Sequence, residues 1–407
     1  MSSSTKKSMV TLAIGCLAMQ LLQQTSFAMT PSLASFQSYW PDIPYNLIAM
    51  LQTGGYLAII PSAIFGGYVA GTKIKYKPLA VISVVLVMVG GLLPFFWHEN
   101  FYFVLFTRII CGLGIGLTFN TCSTLLTYMF TGKVRGRMQG IATIVLTCSG
   151  VVYQGVGGVL CAMNVHYVWL IHLLLIIPLL LIIFFLREPN EEEIRSAQAE
   201  EAAASAAASN KPRWNTRAIL IQFAFGIFQI MPYCVILHMS TIVDHNGWGT
   251  SAMAGLIGTF YTIGGLVSGV LVGPVYMLFK KRAQAVSILI IVIGMVCCGW
   301  GSSVIMMVIS EFLIGLGVFM LSPICIRDTN CLVNLEGLSF CGGLLAATWN
   351  AGAFVSGPFI SIAAGLLGTN PTYPIRAATV GAVIIGVIWI LVRWSRPRSQ
   401  EEEGLYN

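Results

Sequence analysis

Two ionisable side chains stand where ions are costly. Arg108 lies in the apolar stretch 101–130 and Glu311 in the apolar stretch 304–325. If such a stretch crosses a bilayer, a charge within it costs about 3 kcal/mol or more, so it faces a protein interior or a water-filled path. A guanidinium there can hold or orient an anionic group. A carboxylate there can take up and release a proton. Each is followed by glycine at the fourth and sixth positions: Gly112 and Gly114 after Arg108, Gly315 and Gly317 after Glu311. The two patterns are about half the chain apart, which marks an internal repeat. Gly112 and Gly116 also form a small-xxx-small face on which a neighbouring helix can pack closely. Gly112-Leu-Gly-Ile-Gly116 is not read as a nucleotide loop, because no strand precedes it.

These side chains must be carried by membrane-spanning helices. Of 407 residues, 57% are hydrophobic and 9% charged, against about 25% charged in soluble domains. The excess lies in runs long enough to span a bilayer. The 11 cysteines fall in spans or on cytoplasmic segments, so no disulfide framework is implied. Cys297 and Cys298 have no acidic or histidine partner in sequence and read as helix packing.

Twelve spans are expected. The first is an uncleaved run from Met9 to Ala28, with Gln20, Gln23 and Gln24 at helical spacing on one face. Residues 29–43 are read as an external loop. Five more spans follow, at about 44–66, 79–97, 101–130, 138–162 and 166–186. The second six are expected at 217–240, 252–279, 283–301, 304–325, 337–366 and 375–394. The division is thus 1–186, a cytoplasmic linker 187–216, and 217–407 with a short tail. The linker carries Glu191–Glu193 and an alanine-rich run, then Lys211 and Arg213; it is read as either a surface helix or a disordered tether.

The net charge of +7 is a topology signal rather than a nucleic-acid patch. Every Lys and Arg except Arg108 and Arg376 falls at the termini, in the linker, or in turns after even-numbered spans, whereas Asp42, Glu99 and Asp244 lie in the opposite loops. The positive-inside rule puts both termini in the cytoplasm.

The 6+6 repeat, the charged central linker and the glycine motifs resemble the major facilitator superfamily over nearly the whole chain. Arg108-Ile-Ile-Cys-Gly112 looks like that family's fourth-span R-x-x-x-G motif. Gly150, Gly155, Gly157 and Gly158 resemble the fifth-span motif of its antiporters, with Val156 where a proline is usual; Gly352, Gly357 and Pro358 repeat it in span 11. The turn after span 2 should read G-x-x-x-D-(R/K)-x-G-(R/K). Gly67 and Lys75 fit it, but Gly71 replaces the Asp and Ile74 the second Gly. Arg135-Gly136-Arg137 resembles the next basic turn, with Val134 where an acid is common. Both departures remove an anion from the cytoplasmic gate.

The resemblance implies an all-α fold of two six-helix bundles, with spans 1, 4, 7 and 10 lining a central site. Polar and aromatic residues within spans either bond a neighbouring helix or touch substrate: Gln20, Gln24, Gln52, Asn120, Tyr153, Gln154, Gln222, Gln229, Tyr233, Tyr261, Trp349 and Asn350. The reading is a secondary transporter of a small organic solute working by alternating access, with Glu311 carrying a coupled proton and Arg108 attracting substrate or tuning Glu311. The rival is an organic-anion exchanger or uniporter in which Arg108 holds the substrate and protons play no part. The five histidines are scattered along the sequence without acid–base or metal spacing, so an enzyme is not expected, nor a metal, a cofactor or a nucleic-acid partner. A monomer in the plasma (cell inner) membrane is expected.

Overall fold

The computed structural model describes residues 3–207, 215–330, 332–333, 335–368 and 370–394. Lys211, Arg213 and the tail beyond 394 lie outside the described residues. Among the described residues, twelve helical segments are long and apolar enough to cross a membrane: Thr11–Tyr39, Tyr45–Val69, Tyr76–Phe96, Phe101–Met129, Val134–Met163, Val165–Phe185, Thr216–His245, Ser251–Phe279, Ala283–Trp300, Val304–Thr329, Cys341–Leu367 and Thr372–Val392. They are spans 1 to 12. The described residues contain no strand, only an isolated bridge between Ala70 and Ile74.

The chain divides into two compact units, Met1–Ala203 and Ala204–Asn407, called bundles 1 and 2. The same helices meet in each. Span 4 packs between spans 2 and 3, and span 10 between spans 8 and 9; span 1 meets span 5, and span 7 meets span 11; span 3 meets span 6, and span 9 meets span 12. The paired glycines explain the tightest contacts. A Cβ at Gly112 would overlap the Gly55 carbonyl oxygen of span 2, and one at Gly315 would overlap the Tyr261 carbonyl oxygen of span 8.

One boundary differs from the sequence reading, and one open alternative is decided. Span 1 does not end at Ala28: it continues to Tyr39, and residues 29–39 are helical rather than an external loop. Thr25–Ser32 is entirely buried apart from Ser26, so its low hydropathy reflects packing against protein, not exposure to water. The start of the linker is a helix, Glu191–Ala207. Asn190 and Glu193 form a capping box, with Glu193 N–H donating to Asn190 Oδ1 at 2.8 Å and Asn190 N–H to Glu193 Oε2 at 2.9 Å. Three glutamates in the first turn also suit the positive end of the helix dipole.

The cap is pH-sensitive. Arg187, which bonds Glu193 at 2.9 Å, holds the Glu193 carboxyl below its ordinary range, and the Asn190 N–H adds to this. A depressed carboxyl stabilises the fold above its unfolded value, about 4.3, and that contribution is lost as pH falls through the lower folded value. Amide protection at 191–196 should therefore hold at pH 5–7 and decline on further acidification. In Glu193→Gln it should be lower at neutral pH, without that acid step. Hydrogen exchange measures both. The effect is modest, as befits an exposed pair.

Candidate functional site

Span 4 is not one helix. It runs Phe101–Leu117, turns at Thr118–Asn120, and resumes over Thr121–Met129. At the turn the ladder slips to shorter bonds: Thr118 N–H donates to Ile115 O, and Phe119 N–H to Gly116 O. The Gly114 carbonyl thereby loses its usual partner. Ser83 Oγ of span 3 donates to it at 2.6 Å and lies 2.9 Å from Thr118 Oγ1. On the other side Ser62 Oγ of span 2 donates to the Leu113 carbonyl. Span 3 thus satisfies a carbonyl that the break exposes, which is what allows irregular backbone inside a membrane, and span 2 adds a bond to the last turn before it. Ser83→Ala would leave a buried carbonyl unpaired, a cost of about 1–3 kcal/mol. A lowered thermal midpoint of the purified protein is the expected result.

Span 1 is broken too. Its first helix ends at Ala18; Met19–Leu22 and Thr25–Ser32 are 3-10 turns, and Leu33–Tyr39 is α-helical again. The two breaks face each other. Cys16 Sγ lies 3.7 Å from Met129 Sδ, and the Gln20 amide reaches the Cys122 thiol. Gln20 and Gln24 are half-buried, and Asn120, at the turn of span 4, is exposed. Gln52 of span 2 and Gln154 of span 5 are buried, and in each both side-chain amide atoms lack a hydrogen-bond partner. Bundle 1 therefore presents neutral amides and hydroxyls around two interrupted helices.

Arg108 points elsewhere. It is 4% exposed, donates to the Gly90 carbonyl of span 3 at 2.8 Å, and stands over the Trp169 ring of span 6 at 4.9 Å. Span 6 begins as an unusually long 3-10 segment, Val165–Leu175. At three residues per turn, Trp169, His172 and Leu175 share one ridge, and all three are buried. That ridge brings the indole to the guanidinium. The cation is held by a carbonyl and a π face of spans 3 and 6, which are not the spans expected to line a path.

Glu311 occupies the matching position of bundle 2. Gly90 of span 3 rests on the Thr107 carbonyl, and Gly294 of span 9 on the Ser310 carbonyl; Arg108 and Glu311 are the next residues in their spans. Glu311 is 1% exposed, and its Oε2 has no hydrogen-bond partner. Span 9 supplies Cys298 within electrostatic reach.

The other bundle 2 candidates separate into two groups. Gln222 donates to Thr329 Oγ1 at 3.0 Å, joining span 7 to span 10, and Asn350 turns back to the Ala346 carbonyl at 2.7 Å. The first bond joins two helices and the second stays within one. Gln229 is buried with both amide atoms unbonded, and Gly352 of span 11 packs against its Cβ. Trp349 is half-buried and lies 5.4 Å from Phe225 and 5.9 Å from Phe319, which is 5.5 Å from Tyr261. Rings from spans 7, 8, 10 and 11 therefore meet beside Gln229's helix. Tyr233 is buried on the same helix. Phe225 and Phe319 had no signal in the sequence beyond being aromatic within a span.

A family model described as the Major Facilitator Superfamily matches residues 8–324. The chain belongs to the Major Facilitator Superfamily. No curated protein matches the sequence. Among solved structures, a D-xylose–proton symporter is 16% identical with a TM-score of 0.75, covering 96% of this chain and 98% of that one. The nucleoside transporter NupG is 12% identical with a TM-score of 0.70, covering 95% and 100%. A structure described for substrate recognition in proton dependent oligopeptide transporters is 13% identical with a TM-score of 0.71, covering 97% and 99%. At these identities they share the fold of this superfamily member.

In this superfamily member the anions missing from the turn motifs come from beyond span 6. Glu188 accepts from the backbone N–H groups of Tyr76 at 3.0 Å and Lys77 at 2.8 Å, capping span 3. Glu200 of the linker helix pairs with Arg135 at 2.7 Å, while Arg135 also donates to the Phe130 carbonyl at 2.9 Å. Lys75 and Arg137 are exposed. Gly71 has φ +72° and its N–H donates to Ile74 O at 2.8 Å. A Cβ there would also crowd the Tyr76 ring, so an Asp at this position is strained and would not restore the usual motif. Gly67 is exposed with open space around it; its neighbour Gly66 makes the close contact, against the Leu117 carbonyl. Gly150 and Gly357 are buried and Gly155 half-buried in spans 5 and 11, and Pro358 lies inside span 11.

Two further groups escaped the sequence reading. Asp328, near the end of span 10, accepts from Gln284 at 2.7 Å and from Tyr276 OH at 3.3 Å. His98 and His166, far apart in sequence, stack with ring centroids 3.6 Å apart, and Tyr39 packs edge-on to His166 at 4.7 Å. Face-to-face stacking does not converge their nitrogens on one point. Among the described residues no group of three His, Cys, Asp or Glu is placed to hold a metal.

Proposed function

We propose that this chain moves a small, neutral, hydrogen-bonding organic solute across the plasma membrane by alternating access, coupled to protons through Glu311. The observation that carries the substrate class is the meeting of the broken spans 1 and 4. Gln20, Gln24 and Asn120 lie there with neutral polar groups, and the one cation of span 4 is engaged with Gly90 and Trp169 instead. Broken helices of this kind offer backbone and amide groups to solutes. Bundle 2, taken by itself, offers the buried amide of Gln229 and the ring of Trp349. The named neighbours, transporters of xylose, nucleosides and oligopeptides, fit a polar organic cargo.

Glu311 is the proposed proton carrier because it is a buried carboxylate with an unbonded oxygen. The fifth-span glycines favour antiport. Both termini and the linker 187–216 are proposed to be cytoplasmic, from the Lys and Arg distribution, and the chain to act as a monomer. The deciding experiment is uptake into proteoliposomes from a panel of neutral polyols, nucleosides and organic anions, with and without an imposed pH gradient. Gradient-dependent uptake of a neutral compound supports the reading. Transport confined to organic anions and indifferent to pH replaces it with the exchanger.

A further inference from the structure

We propose that the stacked His98 and His166 form an acid-released latch that pins the last helix of span 1, Leu33–Tyr39. His98 lies in the turn between spans 3 and 4, and His166 at the start of span 6. Their rings stack with centroids 3.6 Å apart and planes 29° from parallel. Tyr39, the last residue of that helix, packs edge-on to both, at 4.7 Å from His166 and 6.1 Å from His98. Both imidazoles are half-buried, and Nδ1 of each is buried without a hydrogen-bond partner. This end of bundle 1 lies opposite the basic turns, on the face proposed to be external.

Charge makes this contact conditional. A histidine changes charge between about pH 5 and 8. With one proton or none the two rings can stack. A second proton puts like charges 3.6 Å apart, where they repel with little water between them. The other ionisable groups along these segments are Tyr39, Asp42, Glu99, Tyr102 and Tyr167, all exposed. Among the described residues no acid is ion-paired to either ring. The stack therefore holds at neutral pH and opens as pH falls, the manner in which protonated histidine clusters release an interface. Opening frees Tyr39, the outer member of a series of rings that runs inward. Tyr39 meets Trp40 at 4.8 Å, Trp40 meets Phe36 at 5.7 Å, and Phe36 meets Trp169 at 5.1 Å. The helix that loosens belongs to the broken span that carries Gln20 and Gln24. The latch concerns bundle 1 alone and does not rest on Glu311 or on the substrate class.

Hydrogen exchange of the full chain tests this, read as protection factors so that the intrinsic pH dependence of exchange is removed. Protection over Leu33–Tyr39 should fall about tenfold between about pH 7.5 and 5.5, since release takes up one proton and a free imidazole titrates near 6.5. That window lies above the ordinary carboxylate range. Protection in span 3 should stay constant across it. His98→Phe and His166→Phe each keep a ring in the stack and remove one charge, so each should hold wild-type protection at both pH values. His98→Gln removes ring and charge together, and should lower protection at neutral pH without a further step in acid. A wild type with no step overturns the proposal. So does a step that survives in both Phe variants, or one shared by span 3, which would mean general loosening of bundle 1 in acid.

Discussion

Glu311→Gln should carry substrate down its own gradient but fail to accumulate it when a pH gradient is imposed. Gln keeps the shape of the side chain and cannot release a proton. Glu311 is 1% exposed with one oxygen unbonded, so a neutral amide is well suited to the site and the protein should fold. The expected result is accumulation reduced to the level reached without a gradient, with counterflow exchange retained. Full gradient-driven accumulation by this variant would remove Glu311 as the proton carrier. Arg108→Gln is the contrasting case. Because its guanidinium is held within bundle 1 by Gly90 and Trp169, this variant should lose stability, by about 1–3 kcal/mol for the stranded carbonyl, while substrate affinity stays near wild type. A large affinity loss at unchanged stability would instead place Arg108 on the substrate.

The second large effect concerns packing. Gly112→Leu and Gly315→Leu should each prevent accumulation of a folded, monodisperse protein. A Cβ at either position already overlaps a backbone carbonyl oxygen, of Gly55 or of Tyr261. Backbone cannot move aside as a side-chain tip can, and each site lies at the contact of two whole spans. Overpacking commonly costs about 1–3 kcal/mol, with larger values where backbone must shift. Gly67→Leu is the control: its Cβ meets open space, so size-exclusion profiles and thermal midpoints should match wild type. Normal behaviour of both core variants would mean that spans 2 and 4, or 8 and 10, stand farther apart than the glycines indicate.

Twelve spans and two related halves were legible in the sequence, because hydropathy and small-residue spacing are properties of short segments. The glycines at the fourth and sixth positions after Arg108 and Glu311 were legible for the same reason: close approach excludes a Cβ, whatever the neighbour is. Composition leaves the linker open between a helix and a tether, and the Asn190–Glu193 capping box is the local signal for the helix. The length of span 1 was misread because Thr25, Thr30 and Ser32 lower its hydropathy while being buried against protein.

The direction in which a buried side chain points was decided by tertiary structure alone. Arg108 is one turn from Gly112 on the same helix, yet nothing local states that its partners are a span 3 carbonyl and a span 6 indole. The same holds for Glu188 and Glu200, which supply anions to the turns after spans 2 and 4 from far along the chain, for Ser83 over the broken ladder of span 4, and for the stacked His98 and His166. Sequence determines which groups must be withdrawn from lipid or paired, since that cost belongs to each residue. Which partner meets the requirement depends on distances between segments remote in sequence, and those are set only when the helices pack.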